Sequence, residues 1–289
     1  MTSGASILSP DFLRELEVLR RQLQVRARSG ASGEHTAKRK GGAAEFSEHR
    51  AYAPGDDMRR IDWLAYARTG EPVLKLFRAE EDVVVRLLCD ASASMQDKLD
   101  VARRLAAAVG YMTLAASERA QVLVAGEGLR RQHAPARGRD GVPSLLRSLA
   151  AVETDGRTDL ARAVEAVVER SRRPGMLVVI SDFFDPGPVT RALGRAIGAG
   201  HDLSLLQVVT PEEVEPSLEG DWELEDVETG ARVEVTMDAA ALQAYVLRFA
   251  GLCEELRAFA RRHRAVYLRV RTDEPLAPVV RRFVSRSID

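Results

Sequence analysis

Val83-Val84-Val85-Arg86-Leu87-Leu88-Cys89-Asp90-Ala91-Ser92-Ala93-Ser94 is an apolar run of strand length that opens into a loop presenting Asp90, Ser92 and Ser94. A helical pattern follows from Asp97. Aliphatic residues without polar alternation mark a strand covered on both faces, and such a strand leading directly into a helix is the start of a parallel crossover unit. In open α/β sheets, ligands sit outside the carboxyl ends of these strands. The loop at 90–94 is therefore the first place to look for chemistry.

Asp-x-Ser-x-Ser offers one carboxylate and two hydroxyls at alternate positions of an irregular segment, a set of hard oxygen donors suited to Mg²⁺ or Mn²⁺. Alone, the pattern reads as a polar surface turn. Two later segments add donors. Gly156-Arg157-Thr158-Asp159-Leu160 opens the helical run Leu160–Arg170, and Leu177-Val178-Val179-Ile180-Ser181-Asp182 is a second buried-strand pattern ending in an acid. In order and spacing the three segments resemble a von Willebrand factor A-type metal-ion-dependent adhesion site. The resemblance makes Asp90, Ser92 and Ser94 the first motif, Thr158 the second and Asp182 the third. It implies hydroxyl contacts to the metal, Asp90 and Asp182 acting mainly through water, and one coordination position left for a ligand's carboxylate.

Working outward, the β/α alternation continues. Leu99–Ala116 reads as an Ala-rich amphipathic helix, Ala120–Glu127 as a strand and Leu129–Ala134 as an antiparallel edge strand. Helices are expected over Val142–Ala151, Thr158–Arg172 and Pro188–Ile197, with strands over Met176–Asp182, Leu203–Val209 and Val266–Arg271. A hairpin joins Trp222–Val227 to Arg232–Thr236 around Glu228-Thr229-Gly230, and a last helix follows Pro275. The helix Asp238–His263 carries Leu242, Tyr245, Val246, Phe249, Leu252, Leu256 and Phe259 on one face. The expected fold is α/β: a von Willebrand A-like, doubly wound, mostly parallel sheet with helices on both faces.

Upstream, Ser9-Pro10-Asp11 is a helix start, with Phe12, Leu16, Leu19 and Leu23 falling on one face to pack on the main body. Residues 29–44, rich in Gly, Ser and Ala and carrying Lys38-Arg39-Lys40, read as a linker. In the next segment, Pro54-Gly55-Asp56-Asp57 has turn chemistry, and Asp56 or Asp57 is expected to cap a short helix that carries Ile61 and Trp63 inward. Its acids and arginines are expected to form ion pairs. The division that follows is 1–28 N-terminal helix, 29–44 linker, 45–82 arm, and 83–289 the main domain, with a hairpin insertion at about 211–237.

The arm carries a second, more specific resemblance. Gly41-x-x-Glu-Phe46, then Arg50-x-Tyr-x-Pro-Gly-Asp-Asp-x-Arg-x-Ile-Asp-Trp63, Ala67-Arg68 and the strand ending Asp90-x-Ser-x-Ser-Met95, resemble domain-of-unknown-function family 58. The resemblance covers Gly41 to the C-terminus and implies a von Willebrand A-like fold. It also implies a MoxR-type AAA+ ATPase partner, commonly encoded beside such proteins. Many members begin with two membrane helices, and this chain is similar to the shorter, soluble form.

Bulk properties narrow the classes. Across 289 residues, 42 basic against 43 acidic residues leave a net charge of −1, which argues against a dedicated nucleic-acid or membrane-surface protein. Cys89 and Cys253 read as buried small hydrophobes. Neither a membrane span nor a signal peptide's apolar core is evident, so a cytoplasmic protein is expected. The leading function is a Mg²⁺-dependent protein-binding adaptor rather than an enzyme. A Mg²⁺-dependent phosphohydrolase is the rival, but Ser92 stands where a haloacid-dehalogenase-type site would want a second acid. His35, His49, His133, His201 and His263 all lie away from the three loops, and no P-loop is present. A metal-free scaffold is the third reading.

Overall fold

In this computed structural model the described residues are 7, 9–30, 45–53, 56–58, 61–78, 84–184, 188–217, 220–228 and 230–288. The proposed linker beyond Gly30 with Lys38-Arg39-Lys40, the residues Pro54 and Gly55 of the expected turn, Arg59, Arg60, Asp185, Pro186, Gly187 and Thr229 lie outside them. The chain divides into two compact units, residues 1–30 with 83–289, and residues 31–82.

The larger unit begins with α1 (Pro10–Gly30). The amide of Phe12 donates to Ser9 Oγ at 3.2 Å, satisfying one of the free donors of the first turn. Phe12, Leu16 and Leu19 are buried as their spacing predicts. After the second unit come β3 (Val84–Asp90), α3 (Leu99–Ala115), β4 (Arg119–Gly126), β5 (Gly128–Gln132), β6 (Ala136–Arg137) and α4 (Val142–Ala150). The chain continues through α5 (Leu160–Arg170), β7 (Met176–Ser181), α6 (Val189–Gly198), β8 (Asp202–Val209) and α7 (Pro211–Val214). It ends with the hairpin β9 (Gly220–Glu225) and β10 (Arg232–Met237), α8 (Ala239–His263), β11 (Val266–Arg271) and α9 (Leu276–Ile288).

The central sheet has the order β11-β8-β7-β3-β4-β5, with β6 also pairing to β4. The pairs β11–β8, β8–β7, β7–β3 and β3–β4 are parallel, and β5 lies antiparallel at the edge. From β3 the chain winds one way to β4 and β5, and from β7 the other way to β8 and β11. This is the expected von Willebrand A-like, doubly wound sheet, and its switch point lies between β3 and β7.

Alternation along the strands splits the core into two layers. Val85, Leu87 and Cys89 of β3 join Val178 and Ile180 of β7 in a layer with α3, α4, α9 and α1. Leu88 joins Leu177, Val179, Leu203 and Leu205 in a layer with α5, α6 and the C-terminal half of α8. Burying each of these aliphatic side chains contributes about 1.5–3 kcal/mol. The cysteines are both buried and unbridged, as expected.

The apolar stripe of α8 is buried only in part. Phe249 and Leu256 are covered, whereas Tyr245 and Val246 are exposed, because the first half of the helix extends past the sheet alongside the hairpin. The hairpin's register sets Trp222 opposite Val235 and Leu224 opposite Val233.

In the smaller unit, β1 (Glu45–Ala51) pairs antiparallel with β2 (Val73–Arg78), and α2 (Trp63–Thr69) lies between them in sequence. The expected cap is corrected. Asp62, not Asp56 or Asp57, accepts from the amides of Leu64 and Ala65 at 3.1 and 3.2 Å. Starting the helix at Trp63 turns Ala65 inward and leaves Trp63 61% exposed, against the expectation that it would be buried. Asp56 instead accepts from Ala53 N at 2.9 Å and Arg50 at 2.7 Å, a turn closed by an ion pair of the kind the charge pattern predicts.

Candidate functional site

Asp90 and Asp182 stand at the carboxyl ends of the adjacent strands β3 and β7, at the switch point. Both are fully buried. Asp90 Oδ1 accepts from its own loop, at Ser92 N (3.0 Å), and Oδ2 accepts from Ser181 Oγ at 2.6 Å. The hydroxyls of Ser92 and Ser94 are 3.0 Å apart. Thr158 arrives from the loop before α5, which Asp159 caps through Arg162 N at 2.8 Å. Backbone bonds join this loop to the first, with Ala93 N to Gly156 O and Asp155 N to Ala91 O both 2.9 Å. Arg130 adds bonds to the carbonyls of Ala91 and Asp155.

Asp182 is held on three sides. Its Oδ1 accepts from Phe184 N at 3.0 Å, its carbonyl accepts from Gln207 Nε2 at 3.1 Å, and its Oδ2 accepts from Lys98 Nζ at 2.7 Å. Lys98, only 2% exposed, also donates to Glu213 Oε1 at 2.6 Å and lies 5.1 Å from the centroid of the Phe184 ring. Glu213 is itself fixed by a capping box with Thr210 at the start of α7. One signal was available in advance: Lys98 is one of four lysines among 42 basic residues, so a lysine beside the first motif stood out.

Phe183, directly after Asp182, has a φ of +60°, the left-handed conformation that favours glycine, and its buried ring packs into the second core layer. Burial of the ring offsets the backbone strain.

A fourth carboxylate enters from the hairpin. Glu228 Oε2 accepts from Thr158 N at 3.4 Å, and the nearby Ser94 hydroxyl favours its charged form. This carboxyl group therefore lies at the loop of the second motif. Lys98 bonds two carboxylates, Asp182 and Glu213, with its one ammonium, and Asp90 and Glu228 add further acids to the same group of loops.

The electrostatics follow from that imbalance. Burial first, and the Asp182 charge second, push Asp90 up to about 6, partly offset by the Ser181 and Ser92 bonds. Glu228 is likewise raised, mainly by burial. Burial pulls the Lys98 ammonium down, but Asp182 and Glu213 outweigh it, and its net shift is upward.

Among the described residues no three His, Cys, Asp or Glu side chains converge on a metal position. The candidate donors are of another kind, namely the hydroxyls of Ser92, Ser94 and Thr158 with Asp90 behind them. Thr158 Oγ1 is buried without a hydrogen-bond partner, which leaves a lone pair of a hard donor unused. A divalent ion fits this set, because it would satisfy that oxygen and offset the excess carboxylate charge.

The family model described as "Protein of unknown function DUF58" matches residues 48–258. The chain belongs to this DUF58 family. It is 35% identical over 265 residues to the uncharacterized protein Rv1480 of Mycobacterium tuberculosis, covering 88% of this chain and 83% of that one. It is 37% identical over 154 residues to the uncharacterized protein MAV169 of Mycobacterium avium, covering 52% of this chain and 90% of the relative. Among solved structures it is similar to the conserved hypothetical protein BatB from Bacteroides thetaiotaomicron (18% identity, TM-score 0.47, 72% of this chain and 100% of that chain). It is also similar to a von Willebrand factor type A protein from Catenulispora acidiphila (16% identity, TM-score 0.37, 47% and 35% covered). Among the described residues, no helix is long and apolar enough to cross a membrane.

Proposed function

We propose that this DUF58 chain is a cytoplasmic, metal-dependent protein-binding adaptor rather than an enzyme. Ser92, Ser94 and Thr158 hold Mg²⁺ or Mn²⁺ through their hydroxyls, and Asp90 and Asp182 act mainly through water. When bound, the ion supplies a Lewis-acidic position for a partner's carboxylate. The chain's own residues do the remaining work. Asp90 fixes the first loop through Ser92 N, Ser181 holds Asp90, and Lys98 holds Asp182 against Glu213. The partner is proposed to be a MoxR-type AAA+ ATPase, on the strength of the family resemblance.

The observation that carries the reading is the buried, unpartnered Thr158 Oγ1, in a loop whose backbone is bonded to Ala91 and Ala93 of the first motif. Calorimetric titration with Mg²⁺ and Mn²⁺ tests it. Saturable one-to-one binding, lost in Ser92→Ala/Ser94→Ala, is the expected result. No binding by the wild type, or equal binding by the variant, would overturn it.

One observation favours a second reading. The Lys98 ammonium already neutralises Asp182 at 2.7 Å, so a metal-free scaffold with an in-built cation would also satisfy that acid. In this reading Mg²⁺ produces no heat, and partner binding survives chelator.

A further inference from the structure

The tip of the β9–β10 hairpin holds a residue that the proposed function does not use. Glu228 sits between Asp226, whose Oδ1 accepts from Glu228 N at 2.8 Å, and Gly230, whose amide closes the turn onto Asp226 O at 2.7 Å. Every described residue from Gly220 to Val227 is exposed, whereas Glu228 is half-buried. Its carboxylate reaches across to accept from Thr158 N at 3.4 Å in the second hydroxyl-bearing loop, with the Ser94 hydroxyl of the first near enough to favour its charged form.

We propose that Glu228 is the site's own occupant, a carboxylate presented on a tight turn that stands where a partner's acid would bind, so that the hairpin must lift before a partner engages. This rests on the reading of the site as a carboxylate receptor. The geometry identifies the partner's chemistry as well, as an aspartate or glutamate on an exposed turn, because that is what the site already holds.

The hairpin is built for such a role. Two strands alone are marginally stable, and these strands bury little of their surface. Regions with few buried contacts open at low free-energy cost. A tethered ligand nevertheless competes strongly, because its effective concentration is on the order of millimolar. A partner therefore binds only when its affinity for the site exceeds this competition.

The test uses the full-length chain and two variants, Glu228→Gln and the control Glu225→Gln, a hairpin acid whose partner is Arg232. Amide hydrogen exchange is followed over 226–231 and 156–160, in chelator and in saturating Mn²⁺. Mn²⁺ affinity is measured in parallel by calorimetry. In Glu228→Gln, exchange at both segments is expected to rise at least tenfold in either condition, while Glu225→Gln matches the wild type. Exchange unchanged in Glu228→Gln, or changed equally by Glu225→Gln, would overturn the proposal. The metal reading fails separately: absence of Mn²⁺ binding by the wild type removes it, while the exchange result still decides whether Glu228 occupies the hydroxyl loops.

Discussion

Replacing Lys98 with methionine keeps most of the side chain's length and apolar volume and deletes its charge. The ammonium is 2% exposed and bridges Asp182 (1%) at 2.7 Å and Glu213 (22%) at 2.6 Å. Removing one partner of a buried ion pair costs about 3–5 kcal/mol, because the remaining charge is buried without compensation. Here two carboxylates lose their cation beside a third, Asp90. With a urea m-value of about 3 kcal/mol per molar, the unfolding midpoint is expected to fall by roughly 1–2 M. Lys98→Met/Asp182→Asn is expected to recover most of the loss, because the most deeply buried of the stranded charges is then gone. Equilibrium urea unfolding at neutral pH measures the wild type, Lys98→Met, Asp182→Asn and the double variant. A loss below about 1 kcal/mol for Lys98→Met, or a double variant as unstable as the two single losses added together, would refute the claim that the ammonium neutralises Asp182.

Two further predictions concern the parts that frame the site. Arg20 first, and Tyr111 next, hold the Glu17 carboxyl far below its ordinary value of 4.5, tying α1 to α3. A depressed acid contributes its stability above the unfolded value and loses it as pH falls below about 4.5. Hydrogen-exchange protection over residues 10–21, corrected for the intrinsic exchange rate at each pH, is therefore expected to fall between pH 5 and 3, and Glu17→Gln to remove that pH dependence; an unaltered profile would contradict it. In the smaller unit, Asp62→Ala removes the oxygen that caps α2 through Leu64 and Ala65, at a cost of about 1 kcal/mol. Asp62→Asn, which still accepts, is expected to cost less, and thermal unfolding of the two variants compares them.

Much of this fold was legible in the sequence because its signals are local. The unbroken aliphatic run of β3 and that of β7 each needed cover on both faces, and each ended in an acid where the chain must leave the sheet. Ser9 and the loop before Leu160 announced helix starts by capping chemistry alone. The arm was harder: Asp56 and Asp57 were the expected caps, whereas Asp62 meets the free amides, a choice that only the backbone path decides. That choice turned Trp63 outward. For α8 the helical period identified the apolar face but could not say how far the sheet extends beneath it, so Tyr245 and Val246 emerge exposed.

The candidate site divides the same way. Asp90, Ser92, Ser94, Thr158 and Asp182 were legible as a pattern of oxygen donors at strand and helix ends, and backbone bonds from Ala93 to Gly156 and from Asp155 to Ala91 join the first two loops. The ring of charges around them was not legible. Lys98 reaches Asp182 and Glu213 across 84 and 115 residues of chain, and Glu228 reaches Thr158 across 70. No periodicity or spacing encodes such pairings, which arise only when the switch point brings separate loops to one end of the sheet. They also change the electrostatic picture, because Asp182, one of the two acids expected to await a cation, already shares the Lys98 ammonium with Glu213.

The claim that a divalent ion belongs among the hydroxyls is tested most directly by locating it. Crystals of the full-length protein grown with Mn²⁺, measured at the manganese absorption edge, are predicted to show a single anomalous peak bounded by the hydroxyls of Ser92, Ser94 and Thr158. Lys98 would stay on Asp182. No peak at that position, with Thr158 Oγ1 still unpartnered and Lys98 the only cation at the site, would contradict the account and leave the metal-free scaffold in its place.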